Sequence, residues 1–237
     1  MKRVLSSICR RSRSHVVLAM LVVGLVALVW SPLATRPSGK MRNVDEQLQR
    51  ERFRAGGLRA AAAVSGSVVV EWPEPTIGEP LTLGELADVS HLIVVGSSKG
   101  GICRLTPDGR SIVTLHEVHV SRVLKGAEIE TVTVAVPGGK VGFPGGDVAE
   151  VRTPDFLPPN VDLDVLWFLR HAPDLAGLTT NGNVLVPARG GLGVYDLSPA
   201  NGRIIPSGKH GSVLAHVLLK KRLNVDGFMA EVAAAIR

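Results

Sequence analysis

The pattern of apolar and polar positions divides the chain into three stretches. The first is an unbroken apolar run at residues 16–30, VVLAMLVVGLVALVW, with no charged or strongly polar side chain. It is apolar on every face, so it does not read as one stripe of an amphipathic helix. The second, residues 35–63, is polar nearly all round. Within it, VDEQLQRERFR predicts a helix capped by Asn43, with Asp45 and Glu46 in its first turn and an interruption at Gly56–Gly57. A helix without an apolar stripe is solvated or paired with another chain, so this segment reads as a stalk. The third stretch, from Val64 onward, consists of short β-branched runs punctuated by proline and glycine.

Within that third stretch the periodicity predicts a strand over 64–72, stopped by Pro73, and a loop carrying Pro73, Pro75 and Pro80. Thr82 and Glu85 have capping-box spacing ahead of Leu83, Leu86 and Ala87, which predicts a short helix ending near Ser90. A buried strand is expected at 91–97. Residues 98–108 then read as a turn region, with Gly100, Gly101 and the Pro107–Asp108–Gly109 signal. The runs 110–124 and 130–136, joined across Lys125–Gly126, predict a hairpin ended by Pro137–Gly138–Gly139. Residues 140–155 are glycine-rich and carry no strand expectation. The run 163–169 (LDVLWFL) reads as a central strand. Short strands are expected at 184–188 and 193–197, and 203–205 fits one more. From Gly211 the period becomes helical: helices are expected at 213–223 and 226–236. Asp226 would cap the latter, with Phe228, Met229, Val232 and Ile236 on one face. The fold class is mainly β with flanking helices: a small antiparallel barrel or sandwich, helices at the carboxyl end and a transmembrane helix at the amino end.

Charge sharpens the division. The net charge of +6 is split unevenly. Residues 1–60 hold 12 Lys/Arg and 3 Asp/Glu, whereas residues 61–237 hold 15 and 18 and are slightly acidic. A nucleic-acid-binding domain needs a cationic footprint on the domain itself, so no nucleic-acid partner is expected. Lys2, Arg3, Arg10, Arg11 and Arg13 precede the apolar run, the pattern of an export signal. The positive side stays in the cytoplasm, which puts the carboxyl-terminal part outside. As a helix the 16–30 run covers roughly 22 Å, and its extension to Ala34 roughly 28 Å, against a hydrocarbon core of roughly 30 Å. Cleavage after Ala34 would put Pro32 at −3, and cleavage after Ser31 would put it at +1. Neither suits signal peptidase. The expectation is therefore a cytoplasmic basic tail (1–15), an uncleaved anchor (16–34), a partly helical stalk (35–63), a β-rich extracytoplasmic domain (64–210) and terminal helices (211–237). Secretion after cleavage is the alternative. Oligomerisation through the stalk is a further expectation, as is contact of its seven cations with anionic headgroups. Arg outnumbers Lys 19 to 8, in keeping with a GC-rich bacterial coding bias.

The strings IVVG (93–96), EVHVSRVLKG (117–126), VTVAVPGG (132–139) and LWFLR (166–170) resemble a group of uncharacterised bacterial secreted or membrane-anchored β-domain proteins. The segment Gly190–Tyr195 and the string DGFMAEV (226–232) also fit that pattern. The resemblance covers about residues 88–236 and implies an OB-like or netrin-like barrel in the cell envelope. Its motifs mark strands and turns, and it brings no catalytic residues.

Candidate chemistry is sparse. His116-Glu117-Val118-His119 lacks the i, i+4 histidine spacing of a helical zinc site. On a strand, 116 and 119 face opposite ways, whereas Glu117 and His119 share a face. Those two are the metal-ligand candidates and need a third ligand from elsewhere. Lys140 among Gly138, Gly139 and Gly142 lacks the Ser/Thr and helix of a phosphate loop. Ser97 and Ser98 lack the elbow spacing of a hydrolase. Cys103 is separated from Cys9 by the anchor, which leaves it a lone thiol: either reactive or a partly buried small apolar residue. Asp162 and Asp164 flank a strand entry, where they could serve a cation or simply charge the entry. No catalytic residue, cofactor or metal is therefore expected. The leading expectation is a membrane-anchored β-domain that binds a protein, peptide or glycan partner without catalysis. The alternative is an extracytoplasmic metal-dependent or thiol enzyme using Glu117, His119 or Cys103.

Overall fold

The structure is a computed structural model and describes residues 39–71, 82–153, 156, 161–197, 205–206 and 224–237. The expected basic tail and anchor (1–34), Cys9, the proline loop and the helix expected at 213–223 lie outside the described residues. Among the described residues no helix is long and apolar enough to cross a membrane. The chain divides into two units, Met1–Asn43 and Val44–Arg237, and the described strands all belong to the second.

Helix α1 (Gly39–Ser65) begins upstream of Asn43, so that residue is not its cap, contrary to expectation. The break does fall at Gly56–Gly57, whose backbones are non-helical. The chain doubles back there, and Gln49 Nε2 donates to Ser65 Oγ at 2.5 Å. Residues 45–55 are largely exposed. The second half is not: Leu58, Ala61 and Ala62 are buried. Leu58 packs with Ile112, Ala149 and Val151, so the expected stalk ends at the break rather than at residue 63. That burial carries the helix through Ser65, and β1 (Ser67–Glu71) starts three residues later than expected.

Helix α2 (Leu83–Asp88) has the expected capping box, with reciprocal Thr82–Glu85 bonds of 3.0 and 3.1 Å. Strands β2 (Leu92–Leu105) and β3 (Ile112–Lys125) form a long antiparallel hairpin. Here the structure corrects the first part of the turn region expected at 98–108, because residues 98–105 continue β2. Gly100 and Gly101 form an irregularity inside β2, and the reversal comes at Thr106–Ser111, where the Thr106 N–H donates to the Ser111 carbonyl at 2.9 Å. Strand β4 (Thr131–Pro137) pairs with β3 in the expected hairpin. The glycine-rich stretch holds two unexpected strands, β5 (Gly139–Gly142) and β6 (Val148–Arg152). β6 pairs in parallel with β1 and antiparallel with β5, making a three-stranded sheet. Its inward side chains Val68, Val70, Val141, Ala149 and Val151 cover the second half of α1 and the tip of the β2–β3 hairpin.

The larger sheet continues through β7 (Val165–His171), β8 (Leu185–Pro187), β9 (Val194–Asp196) and β10 (Ile205–Pro206). Its hydrogen-bonded order is β10-β9-β7-β2-β3-β4-β8. β8 bonds to β4 in parallel and to β7 antiparallel. The arrangement is thus not purely antiparallel as expected. β7 is buried on both faces, which is why LWFL carries no polar alternation. Val165, Trp167 and Leu169 face a cluster with Val94, Val118, Val134 and Leu185. Leu166 and Phe168 face the opposite cluster, with Leu86, Tyr195, Phe228 and Val232. Helix α3 (Val225–Ala235) supplies Phe228 and Val232 to that second cluster, with Met229 and Ile236 packed against it as the periodicity requires. Its cap is Asn224, whose Oδ1 accepts from the Gly227 N–H at 2.8 Å, and not Asp226, which lies in the first turn.

Gly57 has φ of +68°, and a Cβ there would stand 2.3 Å from the Gly109 carbonyl oxygen. That same oxygen accepts from the Leu58 N–H at 2.9 Å. Gly57→Ala is expected to destabilise the domain by about 1–3 kcal/mol in denaturant melts, the cost of a forced left-handed residue. The Tyr195 hydroxyl is buried and has no hydrogen-bond partner among the described residues, and burial pushes its pKa up. Tyr195→Phe should leave the melting temperature unchanged or raise it, because an unsatisfied buried hydroxyl is a cost; a clear drop would mean the hydroxyl is bonded after all.

Candidate functional site

The candidate residues collect on the β2–β3–β4 part of the larger sheet, and alternation decides which of them meet. His116 points inward and is 5% exposed. Glu117 and His119 point outward, with side chains 74% and 48% exposed. The opposed faces of 116 and 119 and the shared face of 117 and 119 follow the strand period. Glu117 Oε1 and His119 Nε2 are 3.7 Å apart. Among the described residues no third His, Cys, Asp or Glu joins them in a group able to hold a metal. Their neighbours across β4 are Thr133 and Thr131, opposite Glu117 and His119 respectively, and Ser97 lies opposite His119 on β2. This outer face is polar and open.

Sequence reasoning missed the contact beneath it. Ser98 Oγ lies 3.0 Å from His116 Nδ1, and both residues are buried. The same oxygen lies 3.0 Å from the Gly100 carbonyl and accepts from the Gly100 N–H at 3.2 Å. A hydroxyl has one proton. All three contacts are satisfied together when that proton goes to the Gly100 carbonyl and Nδ1–H donates to Oγ. This polarity is the reverse of nucleophile activation, in which the imidazole must take the serine proton. The pair therefore clips the bulge. Gly101, opposite His116, is required here because a Cβ would lie 2.3 Å from Thr114 Cγ2 and 3.1 Å from the imidazole. The available signal was Gly100–Gly101 inside an otherwise apolar-polar run, a mark of a bulge as well as of a turn.

Cys103 is half-buried and not in a disulfide. Its Sγ lies 3.5 Å from Thr114 Oγ1, which donates onward to the Gly138 carbonyl at 2.8 Å. It packs in the cluster under the three-stranded sheet, far in register from Glu117 and His119. The expected glycine loop around Lys140 is instead strand β5, with Lys140 exposed opposite Glu150. Asp162 and Asp164 are both exposed at the entry to β7. The Asp162 N–H donates to the Ser98 carbonyl at 2.8 Å, so the strand entry is tied to the bulge. Farther along β3 an open groove of about 440 Å³ is lined by residues 120–123 and 128–130, including Arg122, Glu128 and Glu130.

No protein-family model matches this chain. No curated protein matches it either.

Burial holds the His116 imidazole below the ordinary histidine pKa, partly offset by a bond to the Gly100 backbone. As pH falls through about 6.5 the unfolded chain takes up a proton at this position before the folded one does. Folding stability should therefore drop on acidification over that window and level off below the folded pKa. Melting curves of wild type and His116→Asn across the window test this: the variant should lose part of the acid sensitivity, and identical slopes would sink the assignment.

Proposed function

We propose that the chain is an envelope-anchored, extracytoplasmic binding domain, built as an OB-like barrel that takes a protein, peptide or glycan partner on its β3–β4 side. One observation carries the reading: β8 bonds both β4 and β7, so the pairings run in a cycle β2–β3–β4–β8–β7. The cluster of Val94, Val118, Val134, Trp167 and Leu185 draws on all five of these strands and fills the space between them. In small five-stranded barrels of the OB type, the outer face of the second and third strands is the ligand platform. Here that face is β3–β4, with Glu117, His119, Thr131 and Thr133 outward. It offers hydrogen-bond donors and acceptors and a carboxylate, continued by Glu128 and Glu130 at the groove. Such a face suits the hydroxyls of a glycan or the backbone of a peptide and repels nucleic acid. The basic tail and apolar run at 1–34 would hold it at the membrane, with the domain outside. The resemblance to secreted and anchored β-domain proteins agrees with this setting. A second reading, a metal-dependent or thiol enzyme, has the Glu117–His119 contact of 3.7 Å in its favour but requires further ligands.

The test is binding of the full-length protein, in detergent micelles, to arrays of envelope glycans and peptides. Specific signals should appear for one class and vanish in a Glu117→Lys, Thr131→Arg double variant whose melting temperature is unchanged. Signals that survive both substitutions would move the binding face elsewhere. An absence of specific signals, together with metal-dependent turnover that Glu117→Gln abolishes, would favour the enzyme.

A further inference from the structure

Strand β1 (Ser67–Glu71) is an edge of the three-stranded sheet: β6 pairs with one side of it, and among the described residues no strand pairs with the other. The Val148 N–H donates to the Gly66 carbonyl at 3.0 Å. In a parallel ladder that bond sets the phase. Gly66, Val68 and Val70 direct their backbone groups toward β6, and Ser67, Val69 and Glu71 direct theirs to the free side. The Ser67 carbonyl is already engaged, by Ser65 Oγ at 2.9 Å and Gln49 Nε2 at 3.2 Å. Among the described residues nothing bonds the N–H or carbonyl of Val69. We propose that β1 pairs antiparallel with β1 of a second copy of this chain, across a two-fold axis at Val69.

Side-chain exposure points the same way. Val68 and Val70 pack against the cluster beneath the sheet, whereas Val69 is 51% exposed. Edge strands are ordinarily blunted by proline, lysine or a bulge. The segment SVVVE has no proline or lysine, and its register with β6 is unbroken from end to end. Three successive valines favour the extended backbone that a new strand partner requires. The edge is thus shaped for pairing and lacks the usual devices against it.

Symmetry and charge select the occupant and its direction. A two-fold axis at Val69 sets Val69 against its own copy and Ser67 against Glu71. Each outward residue then meets another outward residue, as a self-complementary interface requires. The Val69 pair exchanges both of its backbone bonds, and each Ser67 N–H meets the carbonyl of the partner's Glu71. The two Glu71 carboxylates lie at opposite ends of the ladder, each in register with Arg152 of its own chain. Parallel pairing would instead set carboxylate against carboxylate, and like charges directly opposite destabilise a strand pair. Five residues a side bury less than the roughly 800 Å² per partner of a stable complex, so the pairing depends on concentration. It leaves the β3–β4 face free and does not depend on the proposed binding function.

The probe is the full-length protein itself in detergent micelles, with its protein mass followed by light scattering over a concentration series. The mass should climb from 25.1 kDa toward twice that value. Val69→Lys sets two cations face to face and should hold the mass at that of one chain. Val69 is exposed and its backbone groups face away from β6, so this variant should keep the wild-type melting temperature. Chemical linking in a Cys9→Ser, Cys103→Ser background reads the register. Val69→Cys copies should join through a short bis-maleimide. Glu71→Cys copies lie four residues out of register, about 14 Å apart, and should not. A constant single-chain mass, self-association that survives Val69→Lys, or equal linking at positions 69 and 71 would overturn the pairing. A single-chain mass together with peptide capture that Val69→Lys abolishes would overturn it in favour of an extended peptide at the same edge.

Discussion

Burial of β7 on both of its faces is the constraint from which the rest of the domain follows. Val165–Leu169 contribute five successive buried side chains, three toward one cluster and two toward the other. A strand of this kind cannot sit at an edge or face water, so it must have partners on both sides and cover on both faces. β2 provides one hydrogen-bonded neighbour, and β8 and β9 provide the other. Cover comes from β3 and β4 on the inner side and from α2, α3 and Tyr195 on the outer side. The outer cover is largely aromatic. Phe168, Tyr195 and Phe228 lie with centroids 5.0–5.8 Å apart, the edge-on and tilted arrangements that ring quadrupoles favour. In a chain with only nine aromatic residues, three of them, including the one tyrosine, meet at this junction.

The long hairpin extends the architecture beyond that core. β2 and β3 leave the larger sheet and their tips enter a second, smaller cluster beneath β1, β5 and β6. Between the two regions lies the bulge at Ser98–Gly101, held by the buried Ser98–His116 contact and by Asp162 reaching the Ser98 carbonyl. A bulge bends its strand and raises its twist, which is how one hairpin serves two clusters. His116 is thus tied to shape rather than to catalysis. The arrangement that satisfies all the contacts of Ser98 Oγ agrees, since in it the imidazole Nδ1–H donates a hydrogen bond to the serine oxygen. The second half of α1 belongs to the same small cluster, anchored where Gly57 and Leu58 meet the Gly109 carbonyl. The chain therefore enters the domain through a fixed contact and not a free linker.

Much of this was legible in residue order. The hairpin of β3 and β4, the capping box of α2, the central position of β7 and the apolar face of α3 all arise from local periodicity or local side-chain to backbone bonding. These signals act within a few residues, so the chain states them directly. The opposed faces of His116 and His119 are of the same kind. The glycine-rich segment was not legible: β5 and β6 are short, and β6 is stabilised by a parallel partner 81 positions upstream in β1. Gly100–Gly101 was ambiguous because two glycines fit a turn and a bulge equally well, and only the register with β3 decides. Asp226 and Asn224 are both good caps, and which one serves depends on where Phe228 must point.

The sequence by itself determined most of the strands of the larger sheet, which face of each is apolar, and that the excess of positive over negative charge is confined to the first 60 residues. Those properties follow from side-chain chemistry at fixed spacing. The tertiary structure decided which strands pair, that β8 bridges β4 and β7, and which polar residues become neighbours. Ser98 meets His116 across 18 positions and His91 meets His171 across 80, and both meetings depend on strand pairing and register. Such contacts reflect long-range pairing driven by burial of distant apolar faces, and no local pattern encodes them.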